Sequence, residues 1–436
     1  MKAATLNHVT LAQQSVSSVP GRVDLLRDPL LITVLLLLAG GRWISYFRVP
    51  GLPIFLADYG LLATFATVGL RTLRSNRTVP TARLNASEYL ALALLSWVAW
   101  EIARGSLSIL ALRDGAPFFY VLAFLVTARQ PWKLTGHGSS LSNAFLVTLI
   151  FHASWVAAQV LGILPAPVLS VVVGGDVTLF EVRSDVDGIG VALLACLLLH
   201  RLLTGAGGRW SLAGLVLSVV LVVLLASRAA LLAALLGLAL VLVVSKREGL
   251  SRDATRGLLL AVLTGLVLVA SGAASAPAGS SLDRALNTAG SGSASGTVEA
   301  RGKAWSSVTT YVEATPSRTL LGVGFGPHYV LDSGAYRFLS GATDVRAPHN
   351  WWLNVWARTG LVGLILFTSF YISVLTRLAR AVAVARGPAT RSACLLVVLL
   401  PVAATFGVVL EAPFAVVPFW WACGVVTSLS RTGESS

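Results

Sequence analysis

Trp210-Ser-Leu-Ala-Gly-Leu-Val-Leu-Ser-Val-Val-Leu-Val-Val-Leu-Leu-Ala226 runs into Ser227-Arg228, and Ala229-Ala-Leu-Leu-Ala-Ala-Leu-Leu-Gly-Leu-Ala-Leu-Val-Leu-Val-Val244 follows. Two apolar runs thus meet at one polar pair. Each is about the length that crosses a hydrocarbon core of roughly 30 Å. Lipid offers nothing to an open N–H or C=O, so such runs must be helical.

The same pattern fills the chain. Of 436 residues, 56% are hydrophobic and 12% charged, and the mean hydropathy is +0.79. Soluble domains carry about 25% charged residues. The reading is an all-α polytopic membrane protein of about twelve transmembrane helices. The first spans are expected near Leu30–Phe47, Leu52–Leu73, Glu88–Ala103, Leu107–Ala128, Leu141–Ile163 and Gly188–Leu203. Those near Trp210–Ala226, Ala229–Val244, Gly257–Ala274, Trp351–Leu375, Ser392–Leu410 and Phe414–Leu429 complete the set. The divisions that follow are a cytoplasmic tail (1–28), N-terminal transmembrane helices (29–274), a large extracytoplasmic loop (275–348), C-terminal transmembrane helices (349–430) and a second tail (431–436). The N-terminal segment is polar, without the apolar centre or cleavage site of a signal peptide. Cys196, Cys394 and Cys423 lie far apart in apolar runs, which suggests neither a disulfide framework nor a thiolate metal site.

Charge sets the expected orientation. With the N-terminal tail inside, more than half of the 33 basic residues fall in cytoplasmic connections, including Arg71, Arg129, Arg201, Lys246, Arg377 and Arg431. That is the positive-inside bias, and it accounts for the net charge of +14 without any nucleic acid. Two connections then face outward, Leu164–Asp187 and Ser275–Pro348. In the longer one, Gly290-Ser-Gly-Ser-Ala-Ser-Gly296 reads as a mobile lead-in to an ordered segment, the composition of a lid over an external cavity.

Arg183, Arg228, Arg301 and His349 reach that face. Arg228, between two apolar runs, is costly unless it meets water or an anion; the alternative is an arginine snorkelling at a helix end. Arg183 and Arg301 alone read as ordinary loop charges. Together, guanidinium groups form a clamp for phosphate oxygens, permanently charged and bidentate. His349 is either a loop-binding residue at a helix start or a general base, since an unperturbed imidazole titrates near about 6.5. Asn350 could orient the ring or an acceptor hydroxyl, and Gly360 and Gly363 would allow close helix packing. Glu411 reads equally as a substrate contact or a rim residue. Trp351-Trp352 and Trp420-Trp421 read as interfacial anchors. Asp185-Val-Asp187 has the form of a metal-binding acidic pair, but so short a pattern is common by chance.

His349-Asn350, nine residues, then Gly360-x-x-Gly363 resembles the signature of the O-antigen ligase and polysaccharide polymerase superfamily. Arg301-x-x-x-Trp305, Leu321-Gly-Val-Gly-Phe-Gly326 and Ser227-Arg228 resemble it too, so the likeness runs from about Arg183 to Gly363. The resemblance implies a GT-C-like glycosyltransferase of the bacterial cytoplasmic membrane, without cofactor or metal. It would move a glycan from a polyprenyl-diphosphate carrier to an acceptor hydroxyl on a glycan, glycolipid or protein at the extracytoplasmic face, with inversion. By the same carry-over His349 activates the acceptor, while Arg228, Arg301 and, with a looser match, Arg183 hold the diphosphate. Asn350, Trp305 and Glu411 are read beside them as supporting residues. A polymerase joining repeat units on the same carrier fits the motifs equally. A transporter or flippase would place ionisable residues near span centres and repeat its halves; the charges read instead as lying at span ends.

Overall fold

The Ser227-Arg228 pair separates two helices in the computed structural model. The helix before it ends at Leu224; the next begins at Arg228, with Ser227 Oγ accepting from the Ala230 amide at 3.2 Å. The structure describes residues 28–45, 47, 54–75, 83–105, 107–129, 140–165, 167–169, 177–225, 227–245, 292–339, 343–385 and 387–432. Most of the N-terminal tail, the expected span 257–274 and the start of the large loop lie outside them.

The first helices are α1 (Pro29–Ser45), α2 (Leu56–Ser75), α3 (Ala86–Arg104), α4 (Ile109–Phe119), α5 (Val121–Arg129) and α6 (Ser140–Val160). After them come α7 (Ser184–Leu203), α8 (Arg209–Leu224) and α9 (Arg228–Ser245). Between α6 and α7, β1 (Val168–Leu169) pairs antiparallel with β2 (Val177–Thr178). The large loop carries α10 (Gly292–Glu313), α11 (Pro316–Leu321), α12 (Tyr329–Asp332) and α13 (Tyr336–Leu339). The chain closes with α14 (Trp351–Val384), α15 (Pro388–Ala404), a 3-10 turn (Val409–Glu411) and α16 (Pro413–Thr432).

Among the described residues, six stretches are long and apolar enough to cross a membrane: Ile109–Arg129, Asn143–Val160, Ser184–Leu203, Arg228–Ser245, Trp351–Val384 and Pro413–Arg431. Three shorter apolar helices, α1, α8 and α15, stand beside them. The fold is therefore that of a helical, multi-pass membrane protein. α7 and α16 are central, 89% and 94% buried in protein, whereas α14 is 22% buried over its apolar window and offers most of it to lipid. α7 packs on α8 and α9; α16 packs on α5, α15 and α1.

Several details differ from the sequence reading. Leu107–Ala128 divides at Tyr120, three residues after Pro117. From Gly292 onward the Gly/Ser run belongs to α10, in place of the expected mobile lead-in. Trp351, Trp420 and Trp421 are buried, not interfacial: Trp351 stacks on Phe118 at 5.2 Å, and Trp420 donates to the Pro117 carbonyl at 2.9 Å. Ionisable groups near helix ends are also buried, among them Glu88 and Glu101 at the two ends of α3, Asp187 in the first turn of α7, and Arg358 two residues before the break in α14.

The two ends of the bundle differ in chemistry. At one, Arg129 and Arg431 both engage the buried Glu88 carboxylate at the start of α3. Roughly 24 Å along that helix by its rise, Arg104 at the other end donates to the carbonyls of Leu321 and Gly322 in the large loop.

Candidate functional site

At the loop end, α14 is broken at Gly360, whose φ of 66° is left-handed. The break frees the carbonyls of Ala357 and Arg358, which accept from the amides of Val323 and Gly324 at 2.8 and 3.1 Å. The glycine-rich stretch 322–326 is therefore a strap of successive bends laid against the broken helix. Backbone contact leaves no room for side chains here: a Cβ on Gly360 would sit 2.2 Å from the Leu320 carbonyl oxygen, and one on Gly322 2.4 Å from that of Arg358. Gly360 thus serves loop-to-helix approach. Gly363, one turn on, faces α3, where a Cβ would come 3.2 Å from Trp97.

The strap and the end of the loop are anchored by a charged knot. Asp114 of α4 accepts from Arg346 through Nε at 2.9 Å and Nη2 at 2.5 Å, and lies 3.0 Å from Arg358. Arg358 also donates to the Pro327 carbonyl at 2.8 Å and lies 4.6 Å from the centre of the Tyr329 ring. Tyr329 in turn donates to Asn354 at 2.6 Å. The sequence reading passes over Asp114, Arg346 and Arg358. Their signal is present: a charge inside an apolar run is costly, so it has a partner or a task.

His349 emerges from this scaffold. Its φ of 58° is left-handed, unusual for a residue with a Cβ. Trp305 Nε1 holds the preceding carbonyl, that of Pro348, at 2.8 Å. On the other side Asn350 caps α14, its side-chain oxygen accepting from the Leu353 amide at 3.1 Å; in that position it serves the helix, not the ring. Burial pushes the His349 pKa down to about 4; Arg301 and Arg183 add to the depression and Asp185 opposes it. The ring is neutral at pH 7 and keeps a free lone pair.

Arg301, on α10, donates to the Phe406 carbonyl at 2.7 Å in the turn after α15. Burial lowers its pKa, Asp185 raises it, and Arg228 lowers it again, so the two arginines and the aspartate share one neighbourhood. Arg228 is exposed at the start of α9. Arg183 precedes α7, half-buried, with its amide donating to Asp187 at 2.6 Å. Asp187 is thereby spent as a buried cap beside His152, while Asp185 stays half-exposed. The two aspartates face different surroundings, and among the described residues no cluster of three His, Cys, Asp or Glu could hold a metal.

Arg183, His349 and Glu411 line one cavity of about 1070 Å³, with Arg113, Arg346 and Arg358 on its other walls. Both carboxylate oxygens of Glu411 are buried without a hydrogen-bond partner among the described residues. Burial raises the Glu411 pKa to about 8, Arg358 pulls it down and Asp185 pushes it up, so at pH 7 the group is mostly protonated and can donate. Arg113 and Arg183 have no side-chain partner among the described residues. The cavity therefore offers uncommitted guanidinium groups, a neutral imidazole and a protonated carboxyl. Chemically, such a set can hold an anion and accept a proton beside it.

Residues 213–368 match the family model described as O-Antigen ligase. The match holds Arg228, Arg301, Trp305, His349 and Gly360; Arg183 and Glu411 fall outside it. No curated protein matches the chain. The broken helix, its glycine strap and the loop that ends at His349 all lie inside the matched segment, and over that segment the chain is similar to the O-antigen ligase family.

Proposed function

We propose that the protein is a membrane glycosyltransferase that moves a glycan from a polyprenyl-diphosphate carrier to an acceptor hydroxyl. In this reading a ring nitrogen of His349 takes the acceptor's proton as its oxygen bonds to the anomeric carbon. The bond from that carbon to the diphosphate breaks, and the electron pair departs on the phosphate oxygen. Attack comes from the face opposite the leaving group, so configuration inverts. Arg183, Arg228 and Arg301 take up the charge that develops on the diphosphate, where fixed cations in a partly desolvated site help most. Glu411, protonated, donates to a sugar or phosphate oxygen.

The observation that carries this reading is the grouping of a neutral His349 with Arg183 and Arg301, beside a large cavity and within reach of Arg228's field. Sidedness is supported by the ends of the bundle: the starts of α7, α9 and α14 supply the site, and Arg129 and Arg431 gather at the opposite end. Under the positive-inside bias the site then faces outward from the cytoplasmic membrane, where carrier-linked glycans are presented.

Reconstitution with a polyprenyl-diphosphate-linked glycan and candidate acceptors tests it. His349→Ala and Arg228→Ala should each lower turnover at least ~100-fold, the scale of a lost base or a lost oxyanion partner, and a chelator should leave turnover unchanged. Full activity in His349→Ala would overturn the reading.

A further inference from the structure

The site has an electrostatic difficulty of its own. As His349 accepts a proton it becomes a cation, and the charges facing it from α10 and the approach to α7 are Arg301 and Arg183. Arg228 lies just beyond Arg301, and the carboxyl of Glu411 on the 3-10 turn is mostly neutral. Arg346, on the approach to His349, is already committed to Asp114. Among the described residues, Glu181 on the same cavity is committed to Arg42 and Asp344 is exposed, which leaves Asp185 as the carboxylate whose field opposes those cations at His349.

Asp185 occupies the first turn of α7, where the helix dipole favours a carboxylate. Its Oδ2 is pressed against the turn after α15, so close that a Cβ on Gly407 would lie 2.8 Å away. Arg301 is fixed to the neighbouring residue of that turn, Phe406. Asp185 and Arg301 therefore grip adjacent residues of one turn, and the carboxylate has no hydrogen-bond partner among the described residues. Neither helix capping, which Asp187 performs, nor an ion pair among the described residues accounts for it.

We propose that Asp185 is the positioning residue for His349, supplying the counter-charge for the imidazolium that forms as the acceptor's proton arrives. This rests on His349 being the base. The proton passes from the acceptor oxygen to the ring nitrogen and stays there until product leaves; Asp185 acts through its charge and is not on the proton's path. Its work is to offset the repulsion that two guanidinium groups impose on a third cation. Nothing in the O-antigen ligase likeness assigns it, since the matched segment begins 28 residues later, at residue 213.

The test is the kcat–pH profile at saturating polyprenyl-diphosphate donor, in the reconstituted full-length protein. Bound diphosphate adds negative charge, so the acidic limb of kcat lies above the free enzyme's. Asp185→Asn should lower kcat at least ~10-fold, leave the donor KM within about two-fold, and move the acidic limb down by about one pH unit, the scale of a nearby charge. Asp185→Glu keeps the charge and should hold the limb in place; it carries the test should Asp185→Asn fail to fold. A wild-type kcat and limb in Asp185→Asn, or a limb displaced equally by Asp185→Glu, overturns the inference. His349→Ala separates the two readings. An active His349→Ala removes the base itself, whereas an inactive one beside an unaltered Asp185→Asn removes only the role given to Asp185.

Discussion

Arg346 engages both carboxylate oxygens of Asp114, at 2.9 and 2.5 Å, and so ties the last residues of the large loop to a helix from the other half of the chain. Asp114 also answers Arg358, whose side chain is 3% exposed. Taking away the carboxylate leaves two guanidinium groups facing each other, one of them almost wholly buried.

Asp114→Ala should therefore destabilise by roughly 3–5 kcal/mol, the usual cost of removing one partner from a buried ion pair. Thermal unfolding in detergent measures it. Arg346→Ala should cost less, because Arg358 keeps its counter-ion. Equal losses in the two variants would mean that Asp114 does not serve Arg358.

Gly360→Ala forces a side chain into a left-handed backbone and onto the Leu320 carbonyl 2.2 Å away. The conformational strain alone is ~1–3 kcal/mol, and the strap must also lift, so turnover should fall with stability. Gly302, on α10, faces open space, with nothing within 4 Å of the position a methyl would take. There the same substitution should stabilise by ~0.5–1 kcal/mol, as alanine does in a helix. The sign of the two melting shifts distinguishes backbone approach from simple helix propensity.

Trp305→Phe keeps the ring and deletes the hydrogen bond to the Pro348 carbonyl. Its stability cost should be about 1 kcal/mol. Because that carbonyl precedes a left-handed His349, loosening it should lower kcat on the order of 10-fold through misplacement of the base, with the donor KM unchanged. A change confined to KM would assign Trp305 to substrate binding instead.

How far the sequence carries the fold and the site follows from what each feature depends on. Apolar length alone locates the helices, so α7, α9 and α14 begin within four residues of the expected starts at Gly188, Ala229 and Trp351. His349, Arg301 and Arg228 are legible because polar groups at the edge of long apolar runs need a reason. Asp114–Arg358 is not, because each charge is weighed inside its own run and the partner comes from a distant helix. The buried Trp420 and Trp421 mislead differently: they sit in the middle of the expected span Phe414–Leu429, too deep for an interface, and neighbouring helices cover them. Asn350 reads as a partner of the ring, although its offset of three residues from Leu353 is that of an N-cap.

His349 links folding to pH on the acid side. Its folded pKa of about 4 lies below the unfolded value of about 6.5, so the unfolded chain binds the extra proton between them. This contribution is fully present above pH 6.5 and is lost as pH falls toward 4. His349→Gln should flatten that part of the melting-temperature profile, and an unchanged slope would mean the ring is not desolvated.

Glu411 acts in the opposite direction. Its folded pKa of about 8 exceeds the ordinary value of 4.5, so between those limits the folded protein holds a proton that the unfolded chain releases. Stability from this group is complete below pH 4.5 and drains away as pH rises through 8, with a slope approaching ~1.4 kcal/mol per pH unit for one proton. Glu411→Gln keeps the shape and a donor but cannot ionise. Its melting temperature, compared with wild type at pH 6.5 and at pH 8.5, should gain ground at the higher value, because the variant avoids burying a charge that Arg358 only partly answers. If Glu411 also donates to the substrate while protonated, wild-type turnover should fall above pH 8 and that limb should vanish in Glu411→Gln. A limb that persists in the variant would assign the alkaline loss to another group and leave Glu411 a purely structural role.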